Sequence, residues 1–365
     1  MNIAIFSPNK NPYSETFIQA HKNGLKGKVY YYYGKDFHIQ LEGEDKIKRE
    51  LSLLKKIKNK ALGVKNSSVY WADLTHSINK NKIDIILIEY GTHAYRLMPL
   101  LKGVDIPVVV HFHGYDATVK SVIERVDNYK DVFLRANTVI AVSNKMKEML
   151  LKIDCPKEKI VLNTYGPREE FLSVKATCHK KQFIAIGRFT DKKAPYYTIL
   201  AFAQATKKCT EARLIMAGNG ELLNASKNLV RHLGLESQVI FPGVIDSNTY
   251  KNYLKESRAF VQHSITADSG DMEGTPLAVL EASAAGVPVI STFHAGIPDV
   301  ILHEKTGLLC EEHDVTKMAS YMEQLLQDES KAIQYGKASQ KRIKEKFTLK
   351  RHLDSLDKVF EKLIS

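Results

Sequence analysis

Glu273 and Glu281 close the two ends of EGTPLAVLE, a stretch otherwise made of apolar, small and turn-forming residues. Gly-Thr-Pro reads as a turn into a helix, with Gly274 or Thr275 near the cap and Pro276 in the first turn. The free amides at such a start suit an anion such as phosphate. Glu281 is then expected about two turns inside the helix, where a carboxylate accepts paired hydrogen bonds from the vicinal hydroxyls of a ribose. Glu273, ahead of the helix, is left for the sugar end of an extended ligand. A second group is GRFTDKKAP, where Gly187 permits a tight turn and Arg188 and Lys193 supply two cations. Paired cations neutralise a diphosphate leaving group, although a solvated basic loop explains the same residues equally well. A third is HFHGYD, which sets His111 and His113 on one face of an ending strand, next to Gly114 and ahead of Asp116. Such a pair is one step toward a zinc site, but no third ligand has metal-like spacing, and a structural strand-end histidine is the plainer reading. AGNGE, with Gly218 and Asn219, and PGVID, with Val244, are small-residue turns that let backbone approach a flat ligand such as a nucleobase.

These groups share a position: each follows a short apolar run. NIAIF, IDIILIEY, IPVVVHF, NTVIAVS and KIVLN precede residue 164, and QFIAIG, RLIMAG, QVIFPG, RAFVQH and VPVIST follow residue 181, with helical patterns between them. Strands alternating with helices predict parallel sheets, and ligands of open parallel sheets sit beyond the carboxyl ends of the strands. The strand pattern lapses in NTYGPREEFLSVKATCHKK, so the expected division is a Rossmann-like domain over 1–170 and a second over 171–345. The chain closes on KRIKEKFTLKRHLDSLDKVFEKLI, read as one long helix whose part over 346–365 packs back toward the first domain.

Length and composition set the outer limits. At 365 residues the chain exceeds a single core of about 100–200 residues. Its 44% hydrophobic and 26% charged residues are ordinary for a globular protein. No apolar run reaches the roughly 18 residues that span a bilayer, and MNIAIFSPNK enters a strand without a basic leader, so a cytoplasmic location is expected. Cys155, Cys178, Cys209 and Cys310 are too scattered for a zinc site or a disulfide framework. The net charge is +12, and residues 1–165 hold 26 Lys and Arg against 17 Asp and Glu. Much of that excess lies in 44–66, where Ile47, Leu51, Leu54 and Ile57 recur near helical spacing among Lys46, Lys48, Arg49, Lys55, Lys56 and Lys58. Such a helix suits an anionic membrane surface; a solvated surface helix accounts for it as well.

The ordered series HFHGYD, GRFTDKKAP, AGNGE, FPGV, EGTPLAVLEASAAGVPVISTFHAGIPDVI and KTGLL resembles the retaining glycosyltransferases of family 4 type, with the E-x7-E motif, over about residues 105–310. With SETFI near the start, ADSGDMEGTPLAVLEASAAG is most similar to bacterial exopolysaccharide transferases of colanic acid and amylovoran type. The resemblance implies an α/β GT-B fold, two Rossmann-like parallel-sheet domains facing a central cleft. It further implies transfer of a hexose, with retention, from a UDP- or GDP-sugar to a glycan acceptor, lipid-linked at the inner face of the plasma membrane, with no metal and no other cofactor. Carried onto this sequence, His113, Arg188, Lys193 and Glu273 are the catalytic set, with His113 under the hexose near its O6 and Arg188 and Lys193 on the diphosphate. Gly187, Gly218, Asn219, Val244, Gly274, Thr275, Pro276, Leu277 and Glu281 bind the donor; Glu281 takes the ribose and the Val244 backbone the base. Ser14, Glu15, Thr16 and Asp116 fall on the acceptor side. Two departures stand out: SPNKNPYSETF lacks the glycine pair usual after the first strand, and His263 replaces a proline.

Other readings are weaker. Aromatic residues do not interleave with the lysines as nucleic-acid binding would require, and no G-x-G-x-x-G follows the first strand as in a dinucleotide oxidoreductase. A GT-B phosphorylase or a synthase with a soluble acceptor keeps the same fold.

Overall fold

In the computed structural model of the chain, residues 1–10, 15–44, 47, 65–207 and 209–365 are described. The chain divides into two compact units, Met1–Ala141 with Lys147–Asn163 and Leu353–Ser365, and Val142–Met146 with Thr164–His352. The first holds strands β1 (Asn2–Ser7), β2 (Lys28–Tyr33), β3 (Gln40–Leu41), β4 (Ile85–Glu89), β5 (Val108–His111), β6 (Thr138–Ala141) and β7 (Ile160–Leu162). The second holds β8 (Lys180–Ile186), β9 (Arg213–Ala217), β10 (Val239–Gly243), β11 (Ser257–Val261), β12 (Val289–Thr292) and β13 (Gly307–Cys310). All ten expected strands are present. KVYYYY, GLLC and the two-residue β3 were not anticipated, the first because an unbroken tyrosine run shows no alternation of apolar and polar positions.

The sheet orders are β3-β2-β1-β4-β5-β6-β7 and β10-β9-β8-β11-β12-β13. Both are doubly wound, and among the described residues only the edge strand β3 pairs antiparallel. Helices cover parallel sheets on both faces, which is why IILIE of β4 and SRAFV of β11 are buried at every position. Strand order reverses between β1 and β4 in one sheet and between β8 and β11 in the other, and such switch points open a crevice at the carboxyl ends.

The expected single closing helix is two, Glu329–Lys346 and Leu349–Ile364. The Thr348 hydroxyl, accepting from the Arg351 N–H at 3.1 Å, starts the second and thereby ends the continuous pattern. Within the first unit, Leu356 and Phe360 join the core around Ile3, Ile5 and Leu87, and the Lys26 N–H donates to Asp357 Oδ1 at 3.0 Å. The segment 44–66, with the six basic residues named above, lies almost wholly outside the described residues.

In the second unit, Gly336 of the helix Glu329–Lys346 meets Gly286, just beyond the helix Leu277–Ala284. A Cβ on Gly336 would stand 2.0 Å from the Gly286 carbonyl oxygen, a backbone atom that cannot rotate away. Gly336→Ala gains up to about 1 kcal/mol of helix propensity but incurs overpacking of about 1–3 kcal/mol. A net loss is therefore expected, read as a lower thermal-unfolding midpoint; an unchanged or higher midpoint would mean that the two helices are not in such close contact.

Candidate active site

Charged and polar groups that the sequence singles out gather at the switch point of each sheet. In the second unit β8 ends at Ile186, and the chain turns through Gly187 and Arg188 into the short turn Asp191–Lys193 and the helix Pro195–Ala205, whose proline stands in its first turn. Gly187 has φ 155° and Gly218, at the end of β9, φ 136°. A Cβ on Gly218 would lie 1.9 Å from the Gly187 carbonyl oxygen, so the two turns touch through bare backbone. Gly187, Arg188, Lys193, Val261 and Gln262 line one pocket there. Asn219 and Val244 follow β9 and β10 and are exposed, and the Gly218 N–H donates to the Gly243 carbonyl at 2.7 Å, which holds those two strand ends side by side.

Across this pocket Lys193 Nζ lies 2.7 Å from Glu273 Oε1 and donates to Gln262 Oε1 at 3.2 Å. Lys192, which the sequence reading passed over, is buried and ties Asp271 Oδ1 at 3.0 Å and the Met272 carbonyl at 3.2 Å. Burial works to raise the Glu273 carboxyl, but Lys193 and Lys192 outweigh it and hold the group down at about 2. Glu273 is also held by its backbone: its N–H donates to His294 Nε2 at 3.1 Å, while His294 Nδ1 donates to Glu312 Oε1 at 2.6 Å. That hydrogen bond fixes the tautomer of a wholly buried histidine. Arg188 is exposed and forms no ion pair among the described residues.

The helix carrying Glu281 begins at Leu277, one residue later than expected, with Pro276 as its cap. Gly274 and Thr275 do not cap it; the Thr275 hydroxyl donates to the Val142 carbonyl at 2.8 Å instead. Glu281 consequently stands about one turn inside the helix rather than two. It is buried and accepts from Arg168 Nε at 2.8 Å. Burial raises the Glu281 carboxyl and Arg168 opposes the rise. Arg168, in the segment where the strand pattern lapses, had no sequence signal of its own. His263, left without a role by the sequence, is buried at the end of β11, where its Nε2 accepts the His313 N–H at 3.0 Å. Burial drops it to about 4, so it is neutral and serves to tie that strand end to the loop after β13.

The first unit holds a separate group. Glu89 ends β4 and is wholly buried, yet it is ringed by three histidines: His21 Nδ1 at 2.7 Å from Oε1, and His113 Nε2 at 2.8 Å and His111 Nδ1 at 3.5 Å from Oε2. Burial acts to raise this carboxyl, but His21, His111 and His113 carry it well below the ordinary range. Burial in turn pushes His111 down to about 3, which leaves it neutral. The expectation that His111 and His113 share a face holds, with ring centroids 4.4 Å apart. The missing partners came from positions remote in sequence, one on the helix Thr16–Gly24 and one on the neighbouring strand. Glu89 was discoverable, since it ends a recognised strand at the edge where ligands bind.

The His113 ring is stacked on Phe17 at 4.5 Å, lies 4.5 Å from Tyr90, and exposes only 4% of its side chain. Tyr90 itself has φ 77°, uncommon for a residue with a side chain. Asp116, expected on the acceptor side, does not face solvent: it is wholly buried and accepts from the N–H groups of Gly91, His113 and Gly114 at 2.9–3.0 Å. Burial raises its carboxyl, and those amides work against the rise. Glu15 accepts from the Tyr90 hydroxyl at 2.9 Å. Thr16 opens the first helix, and Ser14 lies outside the described residues.

Because Glu273 is depressed in the folded state, its charge stabilises the fold above the ordinary glutamate value near 4.3, and that contribution fades as pH falls toward about 2. Lys193→Met should therefore lower the unfolding midpoint most at neutral pH, and the gap to the parent should narrow below about pH 4. A gap that stays constant from pH 7 to pH 3 would show that the ion pair does not contribute through charge.

Comparison with known proteins agrees with this architecture. Residues 168–342 match the family Glycosyl transferases group 1, and residues 55–163 match Glycosyltransferase Family 4. The chain is 32% identical over 212 residues to WcaL of Escherichia coli (strain K12), a protein named for colanic acid biosynthesis, covering 57% of this chain and 52% of WcaL. It is 29% identical over 291 residues to the amylovoran biosynthesis glycosyltransferase AmsK of Erwinia amylovora, covering 77% of this chain and 70% of AmsK. The match thus spans about half the length of WcaL. In structure the chain is similar to Anabaena Alr3699/HepE, solved in complex with UDP, with a TM-score of 0.79 at 14% identity over the whole of both chains. The chain thus carries a Glycosyltransferase Family 4 segment followed by a Glycosyl transferases group 1 segment, on a two-unit α/β fold of the GT-B type.

Proposed function

We propose that the protein is a retaining hexosyltransferase of exopolysaccharide assembly, moving a sugar from a UDP- or GDP-sugar to a glycan acceptor carried on a lipid diphosphate. The observation that carries this reading is the cation cluster at the switch point of the second sheet, Lys193 against Glu273 with Arg188 exposed beside it. A diphosphate entering there meets an unpaired guanidinium and an ammonium held only by Glu273 and Gln262. As the sugar–phosphate bond breaks, negative charge grows on the leaving oxygen, and fixed cations stabilise it without a metal. Lys193 drawn onto the phosphate frees the Glu273 carboxylate to accept hydroxyls of the transferring hexose. In this reading the N–H groups of Gly274, Thr275 and Leu277 are offered to the same anion, Pro276 having none, and Glu281 offers its carboxylate to the ribose in exchange for part of its contact with Arg168. The UDP bound in the HepE structure and the names of WcaL and AmsK support the donor class and the pathway.

A panel of UDP- and GDP-sugars, scored by thermal shift and donor hydrolysis, tests the donor: a true donor at a hundredfold excess over Kd stabilises by roughly 2.7 kcal/mol. Turnover should survive EDTA, and loss restored by Mn²⁺ would refute the metal-independent mechanism. In the same assay Arg188→Ala should lower kcat more than it raises KM, because the charge it meets develops in the transition state; a pure KM effect would reduce it to ground-state binding. Orthophosphate as cosubstrate would make the protein a phosphorylase instead.

The lipid-linked acceptor has its own test. The basic excess of residues 1–165 fits peripheral binding to an anionic leaflet, at about 1 kcal/mol per surface lysine or arginine; among the described residues no helix is long and apolar enough to cross a membrane. Co-sedimentation with phosphatidylglycerol vesicles should be strong at low salt and fall when Lys46, Lys48, Arg49, Lys55, Lys56 and Lys58 are reversed. Protein left in the supernatant, or binding unchanged by the reversal, would count against the membrane acceptor.

A further inference from the structure

We infer that Gln262 is a positioning residue for the donor's diphosphate: its side-chain amide holds the Lys193 ammonium in the pocket through a neutral acceptor, which leaves that charge available to an anion. The inference rests on the reading of this pocket as the diphosphate site. Lys193 and Gln262 come from the two strands that flank the reversal of strand order, Lys193 from the turn after β8 and Gln262 from the end of β11. Both line the pocket together with Gly187 and Arg188. An ammonium has three protons and accepts nothing. Among the described residues that of Lys193 meets Glu273 at 2.7 Å and Gln262 Oε1 at 3.2 Å, which leaves one N–H for a ligand. The stem beneath it crosses bare backbone, since a Cβ on Gly187 would stand 2.9 Å from Lys193 Cε.

The amide of Gln262 has one orientation that satisfies both of its ends. Its Nε2 donates to Ser264 Oγ at 2.7 Å, and a cation that cannot accept requires the oxygen on the other side. The backbone is pinned by β12: the Gln262 N–H donates to the Ile290 carbonyl at 3.1 Å, and the Gln262 carbonyl accepts from Ser291 Oγ at 2.6 Å. Gln262 is buried, and burying an amide costs free energy that an apolar side chain of the same length avoids. The two partners of Lys193 also differ in what they do to an arriving anion. Glu273 is charged and competes with the phosphate for the ammonium. Gln262 is neutral, so it can hold the ammonium throughout without cancelling its charge.

The experiment uses the full chain, with Kd for UDP, GDP and inorganic pyrophosphate read by titration calorimetry. Gln262→Met keeps the length and removes the acceptor; it should raise the Kd of each diphosphate that binds ~10-fold, the scale of a hydrogen bond to a charged group. In a Lys193→Met background the same substitution should add less than ~2-fold, because the effect runs through the ammonium. Gln262→Glu keeps an acceptor but adds a charge, and should weaken binding further than Gln262→Met. An equal effect of Gln262→Met with and without Lys193 overturns the proposal, since the loss would then come from the strand end itself. Binding by Gln262→Glu as tight as the parent's overturns it too. If Gln262→Met does not fold, Gln262→Asn, whose amide ends one methylene short, enters the same cycle with the same two outcomes. A parent that binds a nucleoside diphosphate without coupling between the two positions removes Gln262 alone and leaves the donor reading standing. A parent that binds none of the three refutes the donor reading and this inference together.

Discussion

A carboxylate taken out of water must be ringed by cations or hydrogen-bond donors, because the desolvation cost otherwise neutralises or expels it. Three glutamates here meet that constraint in three ways. Glu89 gathers histidines, Glu273 takes lysine, and Glu281 takes arginine. Each arrangement draws in elements remote in sequence: the first helix and two adjacent strands for Glu89, the turn after β8 for Glu273, and the segment leading into β8 for Glu281. The surrounding turns are shaped by the need to bring these donors into range, and the glycine pair Gly187 and Gly218 permits one such approach.

The sheet order determines where those charges can gather. In a doubly wound sheet the two strands flanking the reversal send their following connections to opposite faces, and the gap between them is the one place where a ligand reaches bare backbone and side chains together. β1 and β4 flank it in one unit, β8 and β11 in the other. Glu89 ends β4, while Gly187 and Gln262 immediately follow β8 and β11. The two sites thus arise from the same topological feature, filled with histidine in one case and lysine in the other.

Histidine recurs as a connector with its tautomer set by what lies behind it. His294 holds the Glu273 backbone because Glu312 accepts from its protonated Nδ1, which leaves Nε2 as the acceptor. His263 ties the end of β11 to the loop after β13 and stays neutral through burial. Both are interior groups whose nitrogens are consumed by the protein, and this distinguishes them from Arg188, whose charge remains exposed.

The alternation of apolar runs and helical patterns, the glycines at strand ends and the spacing of EGTPLAVLE were sufficient in the sequence to place ten strands and a doubly wound architecture, because burial on both faces of a parallel sheet leaves a local apolar signature. KVYYYY had no such alternation and was missed. The start of the Glu281 helix shifted by one residue because the Thr275 hydroxyl found a long-range partner, a competition that local capping preference does not register. Lys192 looked like a solvated neighbour of Lys193 until the fold buried it against Asp271. Which cation meets which carboxylate, and that His21, 68 residues before Glu89, completes its shell, depends on distances between segments with no fixed relation along the chain. Those pairings were therefore decided only when tertiary packing brought the carboxylates out of water and required partners for them.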